Sequence, residues 1–186
     1  MSLAENALTK TEKFPDMETE EAATLINIAS DLIESYCNRQ FKLKQVTETY
    51  RGPDSQYLLL RRGPIDEIEE IKINGEEIDL DEIEIISESA MIFRLAGWRT
   101  SGYDIEVTYT GGYVLPNDTE GDGEGLPNPL EYGCILLVKD LQRMVETDSN
   151  AQRYTRGGVS VSYFERKAEL SAPVKALVGP WRYYNV

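Results

Sequence analysis

The chain has 186 residues, 41% of them hydrophobic, enough to bury roughly 70% of the surface its unfolded form exposes and so to hold a core unaided. With no histidine, triads built on that residue are excluded, and the usual zinc ligand and the commonest general base are both missing. The formal net charge is −14, yet residues 151–186 carry six Lys or Arg against two Glu, so a basic end follows an acidic body and tight capture of duplex DNA is disfavoured.

Residues 1–16 mix Lys, Glu, Thr and Asn without sustained periodicity, and are expected to form a mobile arm that adds little to a core. The next stretch, Glu18–Phe41, places Ala22, Leu25, Ile26, Ala29, Leu32, Ile33, Tyr36 and Cys37 on one stripe of an α-helix. Glu18, Glu20 and Glu21 complement the positive end of its dipole, and Pro15-Asp16 supplies a start signal. Val46–Tyr50 and Tyr57–Leu60 read as strands flanking the turn chemistry of Arg51-Gly52-Pro53-Asp54-Ser55, and a hairpin is the simplest connection. Asn74-Gly75 is a two-residue turn that tolerates positive φ at both positions, which predicts that Ile68–Ile73 pairs with Glu77–Leu80.

From Asp66 to Glu88 eleven acids and one Lys interleave with seven isoleucines, so one buried and one anionic face are expected. Met91–Leu95 and Tyr103–Tyr109 continue the sheet, the second with Tyr103, Ile105, Val107 and Tyr109 on one side, and Gly111-Gly112 ends it. Residues 117–125 form an acidic, glycine-rich loop. Its Asp118, Glu120, Asp122 and Gly123 resemble the opening of a calcium loop, but Pro129 stands where the bidentate Glu is needed and the match fails.

Asn128-Pro129-Leu130-Glu131 announces a second helix near 129–147, with a cap residue, a proline in the first turn and an acid behind it. Leu130, Cys134, Leu137, Val138, Leu141, Met144 and Val145 form its stripe, and the additional Ile135 and Leu136 suggest contact on more than one side. Val159, Val161 and Tyr163 alternate as a late strand. Ser171–Val178 reads as a short helix with Pro173 in its first turn, before Trp181-Arg182-Tyr183-Tyr184-Asn185-Val186. Both cysteines fall on helical apolar stripes and are expected as buried thiols. No apolar run reaches the roughly 18–20 residues that span a bilayer, which predicts a soluble chain made in the cytoplasm. The fold class is α+β: a small helical core made by the opening helix, the second helix and the short C-terminal helix, with antiparallel strands and hairpins between. One domain over 17–186 is expected, bearing the acidic loop 117–125 and a basic aromatic tail 171–186.

No phosphate-binding loop, nucleophile–base pair or metal set can be assembled, so no catalysis, cofactor or metal is expected. The order of motifs is more telling. Tyr36-Cys37-Asn38-Arg39-Gln40-Phe41 leads to Glu48-Thr49-Tyr50-Arg51-Gly52. Leu58-Leu59-Leu60-Arg61-Arg62-Gly63-Pro64-Ile65 and Ile68-Glu69-Glu70-Ile71-Lys72-Ile73-Asn74-Gly75 follow. Val107-Thr108-Tyr109-Thr110-Gly111-Gly112-Tyr113 then precedes Leu126-Pro127.

Over roughly residues 17–182 this succession resembles the head-tail connector, or head-completion, proteins of tailed bacteriophages and prophages. The resemblance implies a portal adaptor: a structural protein that forms a homo-oligomeric ring between the portal protein and a tail-completion or stopper protein. DNA would pass it without specific binding, and no membrane is involved. Assembly would take place in the host bacterial cytoplasm, and the finished protein would sit at the virion head–tail junction. Arg153, Arg156, Trp181, Arg182, Tyr183 and Tyr184 are the candidate interface residues, because Trp, Tyr and Arg concentrate binding energy at interfaces. A small-molecule or peptide binding module is the alternative, suggested by the eleven tyrosines.

Overall fold

Three α-helices and seven β-strands appear in a computed structural model that describes residues 2–100, 102, 104–118, 123–147 and 170–183. The chain divides into two units, Met1–Asn38 with Leu126–Val186 and Arg39–Gly125, where the sequence suggested one domain. Helices make the first unit and strands the second, so the α+β class holds.

In the helical unit α1 spans Thr19–Cys37, shorter than expected because Asn38 takes a left-handed conformation at φ 52° and its N–H closes on Glu34 and Ser35 carbonyls. Ala22, Leu25, Ile26, Ala29, Ile33 and Cys37 are buried as the spacing predicts, while Leu32 and Tyr36 are half-buried at the margin. α2, Asn128–Thr147, buries Leu130, Cys134, Leu137, Val138 and Leu141. α3, Ala172–Val178, has Ser171 before it and Pro173 in its first turn, and buries Val174 and Val178. Gly133 is what lets α3 approach α2, since a Cβ there would lie 2.8 Å from Val178 Cγ1.

The expectation that the N-terminal arm adds little to a core is overturned. Ala7, Leu8 and Phe14 are buried. Ser30 Oγ accepts from Leu8 N–H at 3.0 Å while donating to Ile26 carbonyl, and Asn27 Oδ1 accepts from Ala4 N–H at 2.7 Å. Three apolar residues make no periodicity, but polar side chains on α1 supply the hydrogen bonds that a buried backbone must find.

In the β unit two antiparallel sheets form, ordered β1-β7-β3-β4 and β2-β6-β5. Their strands are β1 Lys44–Tyr50, β2 Tyr57–Leu59, β3 Ile65–Ile73, β4 Glu76–Glu77, β5 Ile83–Ile86, β6 Met91–Arg94 and β7 Ile105–Gly111. The Asn74-Gly75 turn is as expected, with φ 55° and 82° and Ile73 facing Glu76 across it, but the returning strand is only Glu76–Glu77 rather than Glu77–Leu80, and β3 pairs along its length with β7. β7 alternates as expected, with Ile105, Val107 and Tyr109 buried.

The hairpin expected between β1 and β2 does not form. β1 pairs with β7 from Lys44↔Gly111 to Tyr50↔Ile105, whereas β2 pairs with β6. Segment 51–56 is held instead by the loop after β6: Trp98 N–H donates to Ser55 carbonyl, Trp98 Nε1 to Gln56 carbonyl, and Gly52 N–H to Thr100 Oγ1. A Cβ on Gly52 would sit 2.0 Å from the Trp98 carbonyl oxygen. Good local turn chemistry therefore yields to a long-range staple, which carries the chain from one sheet to the other. The acidic stretch 66–88 is likewise split among β3, β4 and β5. Ile68 and Ile71 are buried, but Ile85 remains 44% exposed, so its isoleucines do not share one buried face.

Candidate functional site

The quoted motifs meet on the buried side of the four-stranded sheet. Glu48 and Tyr50 lie two apart on β1 and therefore point the same way, beside Tyr109 of β7. The Tyr109 hydroxyl donates to Glu48 Oε2 at 3.0 Å, the Tyr50 hydroxyl also donates to Glu48, and the two hydroxyls are 3.4 Å apart. Each hydroxyl in turn accepts a backbone N–H, from Arg61 at 3.2 Å on Tyr50 and from Arg62 at 3.1 Å on Tyr109. One carboxylate and two phenols thus fix the turn after β2. Burial is the main cause that pushes Tyr109 up to about 12, with the Glu48 charge adding to it. Tyr50 is raised further, again chiefly by burial, then by Tyr109 and Glu48.

The arginines of this turn are fastened rather than merely solvated. Arg62 donates to Lys42 carbonyl at 3.0 Å and to Gln40, and the Arg61 guanidinium lies 5.3 Å over the Tyr50 ring. Arg39 donates to the Gly63 carbonyl and stacks 5.3 Å from the Phe41 ring. The Gly63-Pro64 bond is cis. Gly112, at φ 119°, completes the assembly, because a Cβ there would come 2.5 Å from the Lys42 carbonyl oxygen. Arg39, Gln40, Glu48, Tyr50, Arg61, Arg62 and Tyr109 are therefore an internal knot that shapes the β unit. No nucleophile with an adjacent base is among them.

The opposite face of this sheet is polar. Glu69 Oε1 accepts from Gln45 Nε2 at 3.1 Å and from Thr110 Oγ1 at 3.0 Å, and Thr47 and Thr108 hydroxyls are 3.0 Å apart. Lys72 bonds Glu70, which holds it protonated above its usual range, and Glu106 is 4.0 Å away. Glu70 and Glu106 at Lys72, together with Glu69, make this face anionic, and Glu69 Oε2 is buried without a hydrogen-bond partner among the described residues.

Of the candidate interface residues, Arg153, Arg156 and Tyr184 lie outside the described residues. The other three belong to the helical unit's own packing. Tyr183 N–H donates to Cys37 carbonyl at 2.8 Å, Trp181 ends a 3₁₀ turn and is half-buried, and Arg182 lies 4.7 Å over the Tyr36 ring with much of its side chain exposed. Arg182 is the one of the three that offers an exposed surface. Segment 171–183 is thus a structural part of the unit and not an appendage, since Val174, Val178 and the Tyr183 tie all hold it. Both cysteines are buried thiols outside any disulfide, as expected. Cys37 Sγ faces Val178 carbonyl at 3.5 Å, and burial pushes the Cys134 thiol up to about 12. Among the described residues no helix is long and apolar enough to cross a membrane.

A family model described as head completion protein matches residues 7–184. Among solved structures, the chain is similar to one titled "Neck of native GTA particle computed with C12 symmetry", with TM-score 0.59 and 14% identity over 100% of this chain and 94% of that one. It is also similar to a chain from "Neck of empty GTA particle computed with C6 symmetry", with TM-score 0.58, 14% identity and coverage of 100% and 95%. A third, "Virion of native gene transfer agent (GTA) particle", gives 0.57 at 14% identity. At that identity these chains share the fold. A comparison with curated proteins gives no match.

Proposed function

Since the chain belongs to the head completion protein family, we propose that it completes the head of a phage-like particle as one copy of a neck ring around the DNA channel. The role is structural rather than catalytic. The observation that carries this reading is the family match over residues 7–184, and the fold likeness to neck chains of C12- and C6-symmetric particles supports the ring. Its neighbours in the particle are the portal protein on the head side and a tail-completion or stopper protein on the other, with assembly in the host bacterial cytoplasm.

The anionic outer face of the four-stranded sheet supports a channel surface that lets DNA slide, because its carboxylates repel phosphate and its donors are already occupied. Arg153, Arg156 and Arg182, with Tyr184, are the residues we assign to the portal contact, on the strength of the basic charge of residues 151–186, while Trp181 and Tyr183 pack within the helical unit. The test is a pull-down with the cognate portal protein, followed by imaging of particles made without this chain. Portal binding that is weakened by Arg153→Glu with Arg156→Glu, and heads that lack a neck, are the expected results. Unaltered portal binding would remove the assignment of these residues, and normal necks in the chain's absence would overturn the function.

A further inference from the structure

Among the described residues, two exposed surfaces lie apart from the knot, from the anionic face and from the C-terminal segment. The first lies on the three-stranded sheet. Register places Tyr57, Phe93 and Glu84 in one row and Leu59, Met91 and Ile86 in the next, all on one face. The opposite face buries Leu58 and Ile92. On the outward face Tyr57 is 48% and Leu59 40% exposed, Tyr57 and Phe93 rings pack 5.2 Å apart, and Met91, Phe93 and Ile86 are half-buried. Its charge is acidic: Glu84 stands on the face, and exposed Asp79, Asp81 and Glu88 bracket β5. The three strands hold one basic residue, Arg94, which is on the other face with Glu82 2.9 Å away.

The second surface is the side of α2 away from its core stripe. Tyr132, Leu136, Lys139 and Arg143 recur at helical spacing, with Ile135 beside them. Tyr132 is 54% exposed, the Arg143 side chain 77%, and Lys139 is also exposed. This stripe is apolar and carries Lys139 and Arg143, the latter 3.7 Å from Asp140 at the stripe's edge, where the sheet face is apolar and acidic.

We propose that these two surfaces are the two halves of one contact between copies: the α2 stripe of one copy seats on the three-stranded sheet face of the next. The partner is a second copy because one chain carries both complementary surfaces. Face-to-face pairing of two sheets across a two-fold axis would set Glu84 and its acidic neighbours against their own kind, which disfavours a closed dimer. A helix-on-sheet contact joins unlike surfaces, so every copy keeps one of each free until a ring closes. The proposal rests on the ring reading above and names the surfaces that make the ring.

The test uses two full-length variants, Leu59→Asp on the sheet face and Tyr132→Asp on the helix stripe, both at exposed positions. Circular dichroism and thermal melts matching the parent establish folding. Sedimentation velocity follows assembly at the concentration where the parent forms rings, alone or on portal particles. Each variant alone should lose ring formation, its self-association weakened roughly ten-fold or more. An equimolar mixture should regain association but stop at hetero-dimers, because each variant retains one intact half. Rings from either variant alone, or a mixture that stays monomeric while the parent assembles, would overturn these surfaces and leave the ring standing. A parent chain that never assembles, even on portal particles, would overturn both.

Discussion

Replacing Tyr109 with Phe removes one oxygen from the centre of the β unit. That hydroxyl donates to Glu48 at 3.0 Å and accepts the Arg62 N–H at 3.1 Å, so its loss leaves a half-buried backbone donor and weakens the support of a carboxylate. Hydrogen bonds to charged groups and stranded buried donors each contribute on the order of 1–3 kcal/mol, which sets an expected cost of about 2–3 kcal/mol at pH 8. A second quantity follows from protonation. Tyr109 ionises near 10 when unfolded and about 12 when folded, so its contribution is full below pH 10 and is lost as pH rises through 12. At pH 11 the parent has given up about 1.4 kcal/mol through this residue, a loss the variant cannot suffer. Tyr50 keeps its largest cause, burial, in both proteins, and its alkaline loss largely cancels in the comparison. The stability gap measured by urea unfolding should therefore narrow from about 2–3 kcal/mol at pH 8 to about 1 kcal/mol at pH 11. Far-ultraviolet circular dichroism together with Trp98 fluorescence follows the transition. A gap that stays constant between these pH values, or a cost below about 0.5 kcal/mol at pH 8, would refute the network.

Leu8→Ala should lower stability by about 2–5 kcal/mol in thermal or urea unfolding, as befits a fully buried leucine; a change within experimental error would return residues 1–16 to a loose arm. Gly52→Ala should destabilise by about 1–3 kcal/mol or more, because its Cβ would meet the Trp98 carbonyl at 2.0 Å, and amide exchange should show the loss in the loop 97–100. Deleting residues 171–186 should reduce helicity and lower the melting temperature rather than simply detach a tail, since Val174 and Val178 leave the core with it. The two thiols should stay unmodified by a thiol reagent at pH 8 in the folded chain and react on unfolding, because both are buried and Cys134 ionises only about 12.

What could be read from sequence were the features set by neighbours along the chain. The stripes of α1 and α2, the alternation of β7 and the positive-φ pair Asn74-Gly75 each depend on residues within a few positions of one another. The β1–β2 connection failed because Gly52, Trp98 and Thr100 decide it across more than forty positions, and no local pattern announces that staple. The buried N-terminal segment failed for a similar reason: its partners are Asn27 and Ser30, polar residues on a helix face that looked complete without them. The ordered motifs were legible as a family signature, yet their reason was not. Arg62 and Tyr109 are forty-seven positions apart and meet through a backbone N–H, which no side-chain pattern encodes. The candidate contact residues 181–183 were found by composition alone, and composition does not distinguish a side chain that reaches outward from one that closes its own unit.

The helical unit is built from both ends of the chain, with residues 39–125 lying between its halves in sequence. During synthesis α1 emerges long before its covering helix exists, and its stripe of Ala22, Leu25, Ile26, Ala29 and Ile33 must wait for α2. The intervening segment can pair its own strands meanwhile. A ribosome that stops early therefore releases a chain with an uncovered apolar helix, a target for proteolysis. Completeness of the helical unit is in this way checked by the fold itself.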